Sequence, residues 1–372
     1  MRPTNGRQES IADAGDIRSN ADSIRKVLEE FGVKSKVVEA NVGLKVTQYI
    51  LKISKLSSPS KVLALENNIA LVLIASSVRI EIVSAKKRLV AVEVPNIKPA
   101  ILPISVLLNS REWKNTKSLT SFVVGKNMRG EVVLSDLAMD KSILFAGQTG
   151  SGKSVMHNTI LSSLLSRNTP DTLKLILIDP KQVEMAPYEG LPHLQMPVIL
   201  NLDEWTKACN WLTEETDRRT HLLSSSNSFS IDDYNKSSGT KLPRIVVACD
   251  EISDLMMIND GKIVESTVSR VSDASVDVGI HFIFSTSRPS TDVFTETLKS
   301  SMQTHWAFTV ASKVDSETIL GVSGAEKLLG QGDMLMKDNT DNTLRRVQAA
   351  FISDDEVSDR VNRIIEENDY AS

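Results

Sequence analysis

The stretch GQTGSGKS, residues 147–154, constrains this 372-residue chain more than any other. It follows the apolar run SILFA and precedes VMHNTILSSLLS, which has helical character. A Gly-x4-Gly-Lys-Ser pattern between a strand and a helix is a phosphate-binding turn. Its glycines, Gly147, Gly150 and Gly152, let the backbone curl until consecutive N–H groups face an anion at the helix N-terminus. The contact set for a nucleotide is therefore Gly147, Gln148, Thr149, Gly150, Ser151, Gly152, Lys153, Ser154 and Val155. Lys153 is placed to reach the β- and γ-phosphates, and the Ser154 hydroxyl to bind Mg2+. A chance glycine-rich turn does not explain why strand, helix, lysine and serine are all in register.

The second half of such a site is RIVVACDE, residues 244–251. An aspartate ending an apolar strand suits a carboxylate acting on the Mg2+, which is Asp250. Glu251 lies one step beyond and is the natural group to polarise an attacking water. Read alone, Asp-Glu at a strand end is usually just solvated. About 100 residues after a phosphate-binding loop, it reads as chemistry, with Glu251 and Lys153 as the catalytic pair. The nucleotide expected is ATP, since no NKxD-type base-reading motif occurs.

Composition sets the limits around this core. The formal net charge is −4, so no global basic field announces a nucleic-acid partner, although a local patch remains compatible with it. The two cysteines, Cys209 and Cys249, lie far apart without a CxxC pattern, which argues against a disulfide framework or a zinc site. No apolar run reaches membrane-spanning length and the first twenty residues lack a signal-peptide core. The chain reads as cytoplasmic, without membrane contact of its own. None of the five histidines forms an HExxH pair, Ser154 has no neighbouring base, and His157 and His221 read as ordinary helix residues.

The pattern along the chain predicts two units. Residues 1–20 are polar and read as a disordered tail. Residues 21–110 combine a helix ending at Gly32 with the strand-like KVVEA, VTQYILKIS and RLVAVEVP, a small α+β domain. The polar residues 111–121 are the expected linker. From 122 to 372, apolar runs alternate with helical segments, which implies an α/β unit with a mainly parallel sheet covered on both faces. The Ser-rich stretch 221–243 reads as a flexible loop.

Taken together, LFAGQTGSGKSV, LILIDPKQVEMAPYEGLPHL, RIVVACDEISDLMM, GIHFIFSTSRPSTDV, FTVASKVDSETIL and GAEKLLGQGDMLM resemble the motor of the FtsK/SpoIIIE family of DNA translocases. LEEFGVKSKVVEANVGLKVTQY and VRIEIVSAKKRLVAVEVPN resemble the smaller α domain that precedes that motor. The resemblance implies a RecA-like P-loop β domain, a homo-oligomeric, hexameric ring and double-stranded DNA in a central channel. It places Lys236 and Lys262 on the channel loops as DNA-binding candidates. It fits chromosome segregation, plasmid transfer and phage DNA handling alike. The family's membrane-spanning N-terminus and C-terminal winged-helix domain have no counterpart in these residues, so the expected unit is a motor region or a shorter relative.

Against the family's pattern, Ser287 stands where a glutamine sensor is usual, His305 replaces an arginine, and Glu317 reverses a charge. Lys and Arg give way to Ala274 and Val276. In a ring ATPase a cation from the neighbouring subunit completes the site, and such an arginine is worth about 10³–10⁵ in turnover. The retained candidates are Arg270, Arg288, Arg345 and Arg346. The leading expectation is an ATP-driven duplex-DNA translocase. The alternatives are an ATP-binding ring or partner subunit with weak hydrolysis, and a relative that moves proteins.

Overall fold

The computed structural model describes residues 13–257, 261–337 and 343–369. The first twelve residues of the expected tail lie outside them. Within its last part, Asp16 caps a helix over Ile17–Glu30, accepting from the N–H groups of Arg18 and Ser19. This satisfies donors that a helix N-terminus otherwise leaves without partners.

That helix covers a four-stranded antiparallel sheet. The strands are β1 (Ser35–Val42), β2 (Val46–Ile53), β3 (Arg79–Ser84) and β4 (Leu89–Pro95), in the order β1-β2-β4-β3. Ile24, Val27 and Leu28 of the helix pack with Tyr49, Leu51, Ile53, Val90 and Val92 in one small core. The apolar segment 69–83 divides between a helix, Glu66–Val72, and β3.

The larger unit is built on nine strands. They are β5 (Ser121–Asn127), β6 (Val132–Asp136), β7 (Ile143–Ala146), β8 (Leu173–Ile178), β9 (Arg244–Cys249), β10 (Ile280–Thr286), β11 (Thr304–Phe308), β12 (Asp333–Lys337) and β13 (Leu344–Ala349). Their order is β6-β5-β13-β12-β11-β7-β10-β9-β8. From β8 to β11 every pairing is parallel, as the unbroken apolar runs require of strands buried on both faces. Beyond β11 the pairings are antiparallel, so the DMLM run lies in an extension of the parallel core. Alternate residues of β7 enter opposite cores. Ile143 and Phe145 point to one, Leu144 and Ala146 to the other.

Two sequence expectations change here. Residues 111–121 do not form a free linker. Ser110 caps a helix over Arg111–Asn115, and buried Trp113, with Ile104 and Leu107, joins the large unit's core. The Arg167 guanidinium lies 3.6 Å above the Trp113 ring, a cation–π contact that fixes it there. The Ser-rich stretch 221–243 is also largely ordered. It holds the end of a 24-residue helix, Leu202–Ser225, and a second helix, Ile231–Ser237. Ser230 caps the latter by accepting from the Asp233 N–H, so serine here is punctuation between helices.

The two units meet through buried charge. Arg346 on β13 donates to both carboxylate oxygens of Asp333 and to Glu93 of β4, and Arg79 of β3 donates to the same Glu93 oxygen at 3.0 Å. Lys45 donates to the carbonyls of Gly330 and Gln331 at 2.7 and 3.0 Å. Burial would raise the Glu93 pKa, but Arg346 and Arg79 outweigh it and hold the carboxyl below its usual range.

Candidate functional site

The phosphate loop leaves β7 and enters the helix Lys153–Leu165, most of whose residues are buried. Gly147 N–H donates to the Thr286 carbonyl at 3.2 Å and Gln148 N–H to Thr309 at 2.8 Å, so the loop is tied to the ends of β10 and β11. Gly152 takes φ 114°, and a Cβ there would come within 2.7 Å of the Gly332 nitrogen. Only glycine meets both demands. The close approach is structural, since Gly332 N–H donates to the Ser151 carbonyl at 2.7 Å.

Lys153 lies over the loop, its Nζ donating to Gly147 O at 2.8 Å and Gln148 O at 3.3 Å. Burial lowers its pKa, partly offset by Asp250 and Glu251. Ser154 Oγ stands 3.5 Å from Asp250 Oδ1, although the two residues are 96 apart in sequence. A cavity of about 380 Å3 opens over Lys153 and Ser154, and Asp250, Glu251 and Ser287 line its other side. The sequence-expected pairs therefore converge.

The two carboxylates experience opposite fields. Asp250 is pushed up to about 6, first by burial and then by Glu184, with Lys153 opposing. His157, 4.0 Å from Asp250, gives no counter-charge, because burial and Lys153 hold its pKa down at about 3. Glu251 is held below its usual range. Burial alone would raise it, but hydrogen bonds, above all from Ser287 and Thr286, dominate. Ser253 Oγ and Thr286 Oγ1 donate to Oε1 at 2.7 and 2.5 Å, and Ser287 N–H and Oγ donate to Oε2 at 2.9 and 2.5 Å. Ser287 thus holds Glu251 in place with two donors.

Residues not singled out for chemistry also face the cavity. Lys181, after β8, brings Nζ within 3.9 Å of Glu251 and 4.0 Å of Asp254, and Glu184 lines the same wall. The signal was available in LILIDPK, a second strand ending in Asp and Lys beside the first. Asp179 in that motif accepts from the N–H groups of Lys181, Val183, Glu184 and Met185 and so shapes the turn carrying both residues.

The arginine candidates separate clearly. Arg346 is buried in the joint with Asp333 and Glu93, so its place among groups reaching a neighbouring subunit is corrected. Its local sequence does not show this, because its partners lie 13 and 253 residues away. Arg270 is exposed and donates from one guanidinium nitrogen to both oxygens of Asp217, Arg288 is half exposed beside Asp292, and Arg345 is exposed on β13. His305 sits within β11, where burial lowers its pKa to about 4, so it supplies no charge at neutral pH. Glu317 is exposed. Lys236 is exposed, 4.0 Å from Asp233, and Lys262 is exposed at the start of the helix Lys262–Val278. Residues 258–260 of the second expected channel loop lie outside the described residues.

A nine-stranded sheet with a parallel core, a phosphate loop leaving the interior strand β7 and acidic residues at the end of β9 define a RecA-like P-loop ATPase domain. The FtsK/SpoIIIE family model matches residues 104–291, and an FtsK alpha domain model matches residues 2–96. This chain belongs to the FtsK/SpoIIIE family. It is 40% identical over 353 residues to a DNA translocase FtsK of Clostridium acetobutylicum, covering 93% of this chain and 46% of that protein. It is 38% identical over 370 residues to a DNA translocase FtsK of Staphylococcus aureus, covering 97% and 47%. The chain therefore spans about half the length of these relatives. Its fold is similar to that of the pCW3 conjugation coupling protein TcpA, solved as a monomer with ATPγS (TM-score 0.66, 24% identity, 94% of this chain and 99% of that one). Among the described residues, no helix is long and apolar enough to cross a membrane.

Proposed function

We propose that this chain is the motor of a ring-forming translocase that hydrolyses ATP to move double-stranded DNA through a central channel. The observation that carries the reading is the convergence of Lys153, Ser154, Asp250 and Glu251 on one cavity in a chain close in sequence to named DNA translocases.

Mg2+ fits the site. Ser154 and Asp250 offer hard oxygens, and Mg2+ commonly takes only one or two protein ligands beside substrate phosphates. Burial first, and then the neighbouring carboxylates Glu184 and Glu251, raise the Asp250 pKa, and a cation bound there would favour its ionised form. Bound there, Mg2+ would neutralise charge on the phosphate oxygens. The chain's own residues do the rest. Loop N–H groups and Lys153 hold the phosphates, while Glu251, kept ionised and aimed by Ser253, Thr286 and Ser287, orients and polarises the attacking water. Beside Gly150 and Gly152, a second cavity of about 370 Å3 extends toward Ile101, Leu102 and Phe351 and offers an apolar seat for the base.

In this reading Arg270, Arg288 and Arg345 remain the groups for trans contacts, and Lys236 and Lys262 the channel-loop cations. The two-unit organisation corresponds to a small α domain followed by the ATPase domain. The test is ATP hydrolysis with and without linear duplex DNA, with Lys153→Ala as control. Stimulation by DNA that disappears in the variant supports the proposal. Hydrolysis unaffected by DNA at every salt concentration contradicts it.

A further inference from the structure

The small sheet carries a charge pattern its fold does not need. Over residues 13–96, thirteen Lys and Arg face nine Asp and Glu, a net +4 in a chain whose total is −4. The excess is concentrated at one end of the sheet, where β1 begins, β2 ends and β3 turns into β4. Lys34, Lys36, Lys52, Lys55, Lys86 and Lys87 line one groove of about 690 Å3 there, with no carboxylate among its lining residues. All six are exposed.

The cluster is positioned by the structure. Lys36 and Lys52 are direct cross-strand partners, and like charges set opposite each other destabilise a sheet. Arg88, at φ 59°, donates from its guanidinium to the carbonyls of Ser54 and Ser57. That fastens the loop bearing Lys55 to the turn bearing Lys86 and Lys87. The guanidinium is thus spent on backbone, and the lysines are left facing outward.

We propose that this sheet end binds the phosphate backbone of duplex DNA, a contact surface separate from the channel loops. Neighbouring strands lie about 4.8 Å apart. The lysines on β1, β2 and the β3–β4 turn therefore spread over roughly 10 Å and face several charges of a duplex carrying one per ~1.7 Å. Sheet and turn positions, with no amphipathic helix, match phosphates better than a lipid interface. The proposal rests on the reading that this chain acts on duplex DNA.

The test uses the full chain and fluorescently labelled linear duplex, with binding followed by anisotropy across a salt series. The variant combines Lys36→Ala, Lys52→Ala, Lys86→Ala and Lys87→Ala. The slope of log K against log salt should become shallower by up to about 3.6, at ~0.9 per lost contact. Affinity at low salt should fall at least about tenfold, and ATP hydrolysis without DNA should be unchanged. An unchanged slope in the variant overturns this proposal alone. Failure of the unaltered chain to bind duplex at any salt overturns the DNA reading beneath it. Vesicles containing phosphatidylserine form the control arm. Loss of vesicle binding with intact DNA binding would assign the patch to lipid and also overturn the proposal.

Discussion

Replacing Arg346 by Leu should weaken folding without touching the nucleotide site. Its guanidinium bonds both oxygens of Asp333 and one of Glu93, and all three groups are buried. Breaking a buried pair by removing one partner costs about 3–5 kcal/mol, because the other charge is left uncompensated. Here Glu93 retains Arg79, so the loss falls chiefly on Asp333, which points to the lower end, about 3 kcal/mol. Urea unfolding followed by circular dichroism measures it. Acid dependence offers a second reading. Glu93 has its folded pKa depressed, so the stability it contributes is complete above its unfolded value near 4.5 and is lost as pH falls through the lower folded value. In Arg346→Leu that acid loss should shrink. A variant with unaltered unfolding but hydrolysis reduced about 10³-fold would refute this reasoning and return Arg346 to the group of trans-acting arginines.

Glu251→Gln should lower ATP turnover by about 10²–10⁴ while leaving nucleotide binding intact, as a single-turnover assay beside a binding titration would show. Ser287→Ala removes one of the two Ser287 donors to Glu251 Oε2. It should reduce kcat with little change in KM and raise the lower limb of the pH–rate profile, whereas Ser287→Thr should restore much of the activity. Asp250→Asn should stabilise the nucleotide-free protein while abolishing Mg2+-dependent hydrolysis. A carboxyl raised from 3.8 to about 6 costs folding on the order of 3 kcal/mol at pH 7. That penalty is absent below the unfolded value near 3.8, builds up between the two values and is complete above the folded one. Thermal melts from pH 4 to 8 should therefore show little gain at pH 4 and a gain that rises and then levels off above about pH 6.

The contiguous parts of the site were legible in the sequence. GQTGSGKS and CDE each carry their chemistry within a few residues, and strand periodicity places both at the same edge of a parallel sheet. The LILIDPK turn was visible as a motif, but the roles of Lys181 and Glu184 depend on β8 lying beside β9. Arg346 shows what local reading does not reach, since its meaning comes from Glu93, 253 residues away. The same holds for the lysine cluster, whose members come from three separated segments joined only by the β1-β2-β4 pairing. Trp113 and Ser230 were hidden differently. Both sit in polar stretches whose short helices are fixed by caps and tertiary contacts rather than by apolar periodicity.

The most direct measurement of the central claim is ATP-dependent displacement of a third strand from a linear duplex by the full chain. Displacement that requires ATP hydrolysis and disappears in both Lys153→Ala and Glu251→Gln is the predicted result. Hydrolysis stimulated by duplex without any displacement, or displacement that persists in Glu251→Gln, would contradict the account.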